Sequence, residues 1–306
     1  MEVIEQALMF DCGDDSLLGV VSTSDQNSSA GVLIVVGGPQ YRVGSHRQFV
    51  NLARYLARNG VPCMRFDYRG MGDATGAQRS FAEVGDDMLA AIEAFAAATP
   101  GLKRIVLWGL CDGASAACMA MPAHPLIAGA VLLNPWVRTE AGNASVMLRH
   151  YYLKRFFDGR FWRKLLRGDV HFLSSLRSLL ATVAGSGKQQ EAAASATQMA
   201  PKQAPAPAKP PHLADVPGLP QRMLKGLAES GQPFAILLSG RDFVAREFQQ
   251  LAAADLGWRR LMASRQAVVR HFEQADHTFS RMEDAREVER FTLEWINLQI
   301  SSGFRS

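Results

Sequence analysis

Apolar residues along the chain follow two rhythms. Short, mainly apolar runs at 31–36, 62–67, 104–108, 128–134, 234–239 and 267–272 read as strands. The run Gly31-Val32-Leu33-Ile34-Val35-Val36 has no polar position, as expected of a central strand covered on both faces. Between the strands lie stretches with helical spacing. Over 47–59, Phe49, Leu52, Ala53 and Leu56 share a face and Gly60 follows as a stop. Over 80–98, Phe81, Val84, Met88, Ile92 and Phe95 do the same. Further helices are predicted at 112–121, 223–230, 244–253, 258–264 and 283–299. At the start, 3–12 and 16–22 flank Gly13-Asp14-Asp15 and read as a hairpin. Strand and helix alternating over short links predict an α/β fold with a doubly wound, mostly parallel sheet.

After Asn134 the rhythm breaks. A helix is expected over 146–167 and another over 173–183. The segment 185–217 is rich in Ala, Pro, Gln and Lys, has few large apolar groups, and is expected to be disordered. The predicted organisation is therefore a core over 1–136 plus 232–306, with a helical cap insertion over 137–231. The first cap helix carries Arg149, Lys154, Arg155, Arg160, Arg163, Lys164 and Arg167 against one acid, Asp158. The favoured reading is a lid with a solvated basic face. The other is peripheral contact with an anionic membrane or an anionic glycan carrier.

Composition narrows the setting. The chain has 306 residues, 48% of them hydrophobic, enough for a sizeable core. A formal net charge of +4 does not argue for nucleic acid. Cys12, Cys63, Cys111 and Cys118 form neither a C-x-x-C pair nor a zinc-spaced cluster, so no metal or cofactor is expected and a reducing compartment is. No basic leader precedes an apolar run at the N-terminus, and no run is long enough to span a bilayer. The expectation is a soluble cytoplasmic protein.

The candidate chemistry begins at the end of the strand 104–108. There Gly109-Leu110-Cys111-Asp112-Gly113 has the form G-x-C-x-G. It resembles the nucleophile elbow of an α/β-hydrolase, with cysteine where serine is more usual. A strand reversing into a helix leaves no room beside the apex, which suits glycine at both flanks. The following helix aims free N–H groups at the sulfur, and this predicts a lowered thiol pKa. Asp242 and His277 follow two later strands, in the order nucleophile, acid, histidine. Cys111, Asp242 and His277 are thus the candidate catalytic residues. The histidine would move the thiol proton, and the carboxylate would hold the imidazole tautomer. Asp276, beside His277, cannot easily turn back onto its ring, which leaves Asp242 as the acid. For the oxyanion hole, one backbone N–H is expected from Asp112. The other comes from Gly38 or Gln40, between which the sequence does not choose, because Pro39 has none to give.

Longer stretches carry a more specific resemblance. They are Gly37-Gly38-Pro39-Gln40-Tyr41-Arg42-Val43-Gly44-Ser45-His46-Arg47-Gln48-Phe49, Phe66-Asp67-Tyr68-Arg69-Gly70-Met71-Gly72-Asp73, Gly109-Leu110-Cys111-Asp112, Phe161-Trp162-Arg163-Lys164-Leu165-Leu166, Asp242-Phe243-Val244-Ala245-Arg246-Glu247-Phe248 and Asp276-His277-Thr278-Phe279. In these the chain resembles the α/β-hydrolases associated with exosortase A systems, the first of their two types. The resemblance implies an α/β-hydrolase fold, hydrolase activity and a link to exopolysaccharide production in Gram-negative bacteria, without naming a substrate. The Ala/Pro-rich segment departs from that pattern and reads as a tolerated cap insertion. Residues and resemblance together predict an ester or thioester acyl hydrolase, or an acyltransferase, working through acyl-Cys111. Its substrate would be a small-molecule, lipid-linked or glycan-linked acyl compound. The competing expectation is a catalytically silent binding or membrane-interface partner of the polysaccharide machinery.

Overall fold

The computed structural model describes residues 2–37, 40–138 and 218–302. Strand β1 (Ile4–Cys12) pairs antiparallel with β2 (Asp15–Thr23), and β2 pairs antiparallel with β4 (Cys63–Asp67). From there the sheet is parallel through β3 (Ala30–Val35), β5 (Arg104–Leu110), β6 (Ile127–Leu133), β7 (Phe234–Ser239) and β8 (Ala267–Phe272). The eight strands lie in the order β1-β2-β4-β3-β5-β6-β7-β8. Every residue of β3, β4 and β7 is buried, as the unbroken apolar run of β3 requires, whereas most of the edge strand β8 is exposed.

The helices, numbered over the described residues, are α1 (Gln48–Arg58), α2 (Gly85–Ala98), α3 (Asp112–Ala120), α4 (Leu219–Ser230), α5 (Phe243–Ala254), α6 (Leu256–Met262) and α7 (Met282–Ser302). Helices α1 and α7 meet over Trp108. Its ring stands edge-on to Phe49 at 5.8 Å, and its indole N–H donates to Thr292 Oγ1 at 3.4 Å. Helix α3 packs with α2 and α4. The α3–α4 approach is close, since a Cβ at Gly226 would overlap the Cys118 carbonyl.

Two helix starts differ most from the periodicity. Helix α2 starts at Gly85 rather than at 80, although Phe81 and Val84 are buried as expected. Residues 80–83 instead close a turn, with Glu83 N–H donating to the Ser80 carbonyl and Ser80 N–H to the Glu83 carboxylate. Helix α4 starts at Leu219 and buries Leu219, Met223 and Leu227. The chain divides into two compact units, Met1–Glu140 with Lys209–Ser306, and Ala141–Ala208. Helix α4, read from sequence as the end of the cap, thus lies in the unit that holds the sheet. The helices expected at 146–167 and 173–183, and the disordered segment expected at 185–217, fall outside the described residues. Among the described residues no helix is long and apolar enough to cross a membrane.

In this strand order the connections leaving β3 and β5 run to opposite sides. A crevice at such a reversal, beyond the carboxyl ends of the strands, is where open α/β sheets bind ligands. The loops after β3, β5, β6, β7 and β8 all emerge on that edge.

Candidate active site

Cys111 sits at the apex between β5 and α3 with φ 59° and ψ −124°. That conformation is sparsely populated for a residue with a Cβ, and it persists only where the surroundings dictate it. Here they do. Cys111 N–H donates to the Leu133 carbonyl at 2.9 Å. The Cys111 carbonyl accepts from the N–H groups of Ser115 and Trp136, each at 3.2 Å. Both flanking glycines are required by space: a Cβ at Gly109 would lie 2.6 Å from the Gly113 carbonyl, and one at Gly113 would lie 2.5 Å from the Val35 carbonyl. The strand-turn-helix expected from G-x-C-x-G is present, with β5 extended to Leu110 so that the strand carries the chain right up to the apex.

The Asp112 backbone N–H lies near enough to the Cys111 sulfur to favour its thiolate. The dipole argument predicted a lowered thiol pKa, and the structure reverses it. Burial pushes the Cys111 thiol up, and the Asp112 and Asp242 carboxylates push it the same way. The Asp112 N–H and the Arg138 guanidinium act in the opposite direction and are outweighed. The thiol therefore rests protonated.

Asp242 is the N-cap of α5. Its Oδ1 accepts from Val244 N–H at 3.3 Å and its Oδ2 from Ala245 N–H at 3.2 Å. The same Oδ2 lies 2.8 Å from His277 Nδ1. Because a carboxylate only accepts, Nδ1 carries the proton and Nε2 presents its lone pair. The capping role and the histidine contact are thus carried by one carboxylate. Asp276 is turned away from the ring: it accepts from Thr278 and Ser280 N–H and holds Ser280 Oγ, which keeps its carboxyl below the ordinary range. Among the described residues His277 Nε2 has no hydrogen-bond partner, and the imidazole and the Cys111 thiol are not hydrogen-bonded to one another. Apo sites often show such gaps, which close when substrate binds.

Of the two candidates for the second oxyanion N–H, Gly38 lies outside the described residues. Gln40 is half-buried, and its side-chain oxygen accepts from Ser45 N–H at 3.2 Å. The loop passes directly over the elbow, because a Cβ at Gly37 would lie 2.6 Å from Gly113 N. Fully buried Asp67 holds this loop from the end of β4: Oδ1 accepts from Arg42 N–H at 2.7 Å, Oδ2 from Asp73 N–H at 3.1 Å, and the carboxylate also pairs with the Arg42 guanidinium. Arg42 in turn pairs with Asp73 at 2.6 Å, and Arg69 with buried Asp87 at 2.9 Å. Asp73 and Arg69 therefore serve loop structure.

Asn134, at the end of β6, was read from sequence only as a strand end. It is fully buried at φ 44°. Its Nδ2 donates to Ser239 Oγ at 2.8 Å and to the His277 carbonyl at 3.0 Å, and its Oδ1 accepts from Ser239 N–H at 2.9 Å. Ser239 Oγ then donates to the Asp276 carbonyl at 2.8 Å. The ends of β6 and β7 thus clamp the histidine loop from below. A polar residue closing an apolar strand, followed by proline, was the available signal.

A cavity of about 470 Å³ lies between α1 and α7, against Trp108, Leu133 and Phe279. Neither Cys111, Asp242 nor His277 lines it. Among the described residues no group of three or more His, Cys, Asp or Glu side chains is arranged to hold a metal ion.

The model of the alpha/beta hydrolase family matches residues 32–291. No curated protein matches the chain. Among solved structures, an esterase of Pyrococcus furiosus aligns with TM-score 0.63 at 14% identity, covering 96% of this chain and 90% of the esterase. Est1E of Butyrivibrio proteoclasticus, solved with ferulic acid bound, aligns with TM-score 0.60 at 12% identity, covering 96% and 100%. A putative hydrolase of Agrobacterium vitis aligns with TM-score 0.55 at 17% identity, covering 98% and 100%. At these identities the likeness speaks for the fold alone.

Proposed function

The chain belongs to the alpha/beta hydrolase family, and we propose that within it this protein is an acyl hydrolase with a cysteine nucleophile, cleaving esters or thioesters through acyl-Cys111. The observation that carries the reading is the backbone of Cys111. A side chain is held at φ 59° on a strand-to-helix apex only where the surroundings enforce it, and that is the conformation a nucleophile elbow requires. The helix-capped Asp242–His277 pair supports the same reading.

In the proposed cycle the Cys111 sulfur attacks the substrate carbonyl carbon while His277 Nε2 takes the thiol proton. The carbonyl oxygen becomes an oxyanion facing the Asp112 N–H and one N–H of the loop after β3, from Gly38 or Gln40. Collapse expels the alcohol or thiol, which leaves with the proton from Nε2. Water then attacks the acyl-cysteine, giving up a proton to Nε2. Loss of the thiolate releases the carboxylic acid, and the sulfur recovers its proton. An acceptor alcohol in place of water makes the same cycle an acyl transfer. Asp242 stabilises the imidazolium formed in each half. The resemblance to exosortase-associated hydrolases supports an acyl compound of exopolysaccharide production as substrate.

The test is intact-mass detection of acyl adducts after incubation with a panel of acyl esters and thioesters. An adduct on the native protein that is absent from Cys111→Ala is expected, together with turnover lost in both Cys111→Ala and His277→Ala. No adduct and no turnover across the panel would leave the fold as a binding scaffold.

A further inference from the structure

Arg138 stands on the loop after β6 and is held from two sides. Its guanidinium carbon lies 4.7 Å from the centroid of the Trp136 ring. Trp136 is tied to the elbow, since its N–H donates to the Cys111 carbonyl at 3.2 Å and its carbonyl accepts from Ser115 Oγ at 2.6 Å. On the other side, Arg138 Nε–H reaches both carboxylate oxygens of Glu247, at 2.7 and 3.0 Å. Glu247 belongs to α5, the helix that Asp242 caps.

The form of that contact matters. A guanidinium that serves only to staple two elements does best with parallel N–H···O bonds from its two-pronged edge. Here a single N–H serves both oxygens, and the Nη groups have no partner among the described residues. The side chain is one-third exposed, while Glu247 is nearly buried. The charge around the sulfur points the same way. The Asp112 and Asp242 carboxylates both act on the thiol, and Arg138 is the cation that opposes them. Two carboxylates so placed repel an anionic substrate unless a fixed cation answers them. A fork held rigid by an aromatic face and by Nε, with its outer donors unpartnered among the described residues, is suited to a carboxylate or a phosphate.

We propose that Arg138 is the anion anchor of this site, so that the preferred substrates are esters or thioesters bearing a carboxylate or phosphate group received by its Nη edge. The proposal rests on the reading of Cys111 as nucleophile given above.

Matched substrate pairs test it. 4-Nitrophenyl hydrogen adipate against 4-nitrophenyl hexanoate places or removes a carboxylate on the acyl side. Hexanoyl-CoA against S-hexanoyl-N-acetylcysteamine places or removes phosphates on the leaving side. The native protein is expected to favour the anionic member of at least one pair by about tenfold or more in kcat/KM. Arg138→Gln should erase that preference, the anionic members losing about tenfold more kcat/KM than the neutral ones and mainly through KM. Arg138→Lys, which keeps the charge without the fork, should restore part of it. The pair affected identifies the source of the anion. No preference in the native protein, or an equal loss on both members in Arg138→Gln, would overturn the anchor and leave Arg138 as a staple. Neutral-ester turnover that needs Cys111 would meanwhile uphold the nucleophile reading, so the two failures are separable.

Discussion

Asn134→Ala removes three hydrogen bonds at one buried position: Nδ2 to Ser239 Oγ, Nδ2 to the His277 carbonyl, and Ser239 N–H to Oδ1. At about 1 kcal/mol net for each, the loss is about 3 kcal/mol. The backbone adds to it. Residue 134 sits at φ 44°, where asparagine is better tolerated than alanine, by roughly 1 kcal/mol. The sum of about 4 kcal/mol, at about 2 °C per kcal/mol for a large domain, corresponds to a fall in Tm of about 8 °C. Asn134→Gly loses the same bonds but accepts the positive φ, so it should be less destabilised by about 1 kcal/mol. Urea unfolding measures both. Amide exchange over 276–280 reads the loop directly and should accelerate. With His277 carried on a loosened loop, kcat for a neutral ester should fall more than about tenfold with KM little changed. A stability of Asn134→Ala within about 1 kcal/mol of the native protein, with unchanged exchange over 276–280, would refute the clamp.

Other expectations follow from the elbow and the buried thiols. Gly113→Ala drives a Cβ to within 2.5 Å of the Val35 carbonyl, a backbone atom that cannot swing away. The variant should lose stability at or beyond the upper end of about 1–3 kcal/mol, and a Tm within about 2 °C of native would contradict the tight elbow. Since burial and two carboxylates hold the Cys111 thiol up, its alkylation by iodoacetamide should keep rising beyond about pH 8.5. A rate plateau near pH 6 would mean a resting thiolate. Burial also raises Cys63 and Cys118 above an unfolded value of about 8.5. Their contribution is complete below that pH and is lost as pH rises above it, so the urea midpoint should decline between about pH 8.5 and 10. A flat or rising midpoint would go against it.

The strands were legible because a strand covered on both faces must be apolar at every position, and β3 and β7 are written that way. Gly109 and Gly113 were legible for a comparable reason: the elbow's steric demand is local and leaves a local mark. The start of α2 was not, since Phe81 and Val84 keep helical spacing and burial while a Ser80–Glu83 turn takes the backbone elsewhere. Asn134 was missed because its partners are remote. Asn134 bonds Ser239 and His277, 105 and 143 residues away, and no local pattern announces such a pairing. The direction of the thiol shift failed for another reason. A sequence displays the helix start that would stabilise a thiolate, but not the burial and the Asp242 carboxylate that oppose it.

That reversal bears on what the site must supply. A resting thiolate needs a cation close to the sulfur, whereas two carboxylates weigh on Cys111 and outweigh Arg138. On the proposed reading, negative charge therefore never settles on sulfur before attack. It forms as the proton leaves for His277 Nε2 and passes at once to the carbonyl oxygen, where the Asp112 N–H stands. Of the two carboxylates that disfavour the thiolate, Asp112 acts more strongly, and the second, Asp242, also lies 2.8 Å from His277 Nδ1. Asp242 thus links part of what keeps the thiol protonated to the histidine that takes the proton. It is an arrangement fitted to a hydroxyl nucleophile, and here it carries sulfur, whose ester is the easier one for water or a second alcohol to open.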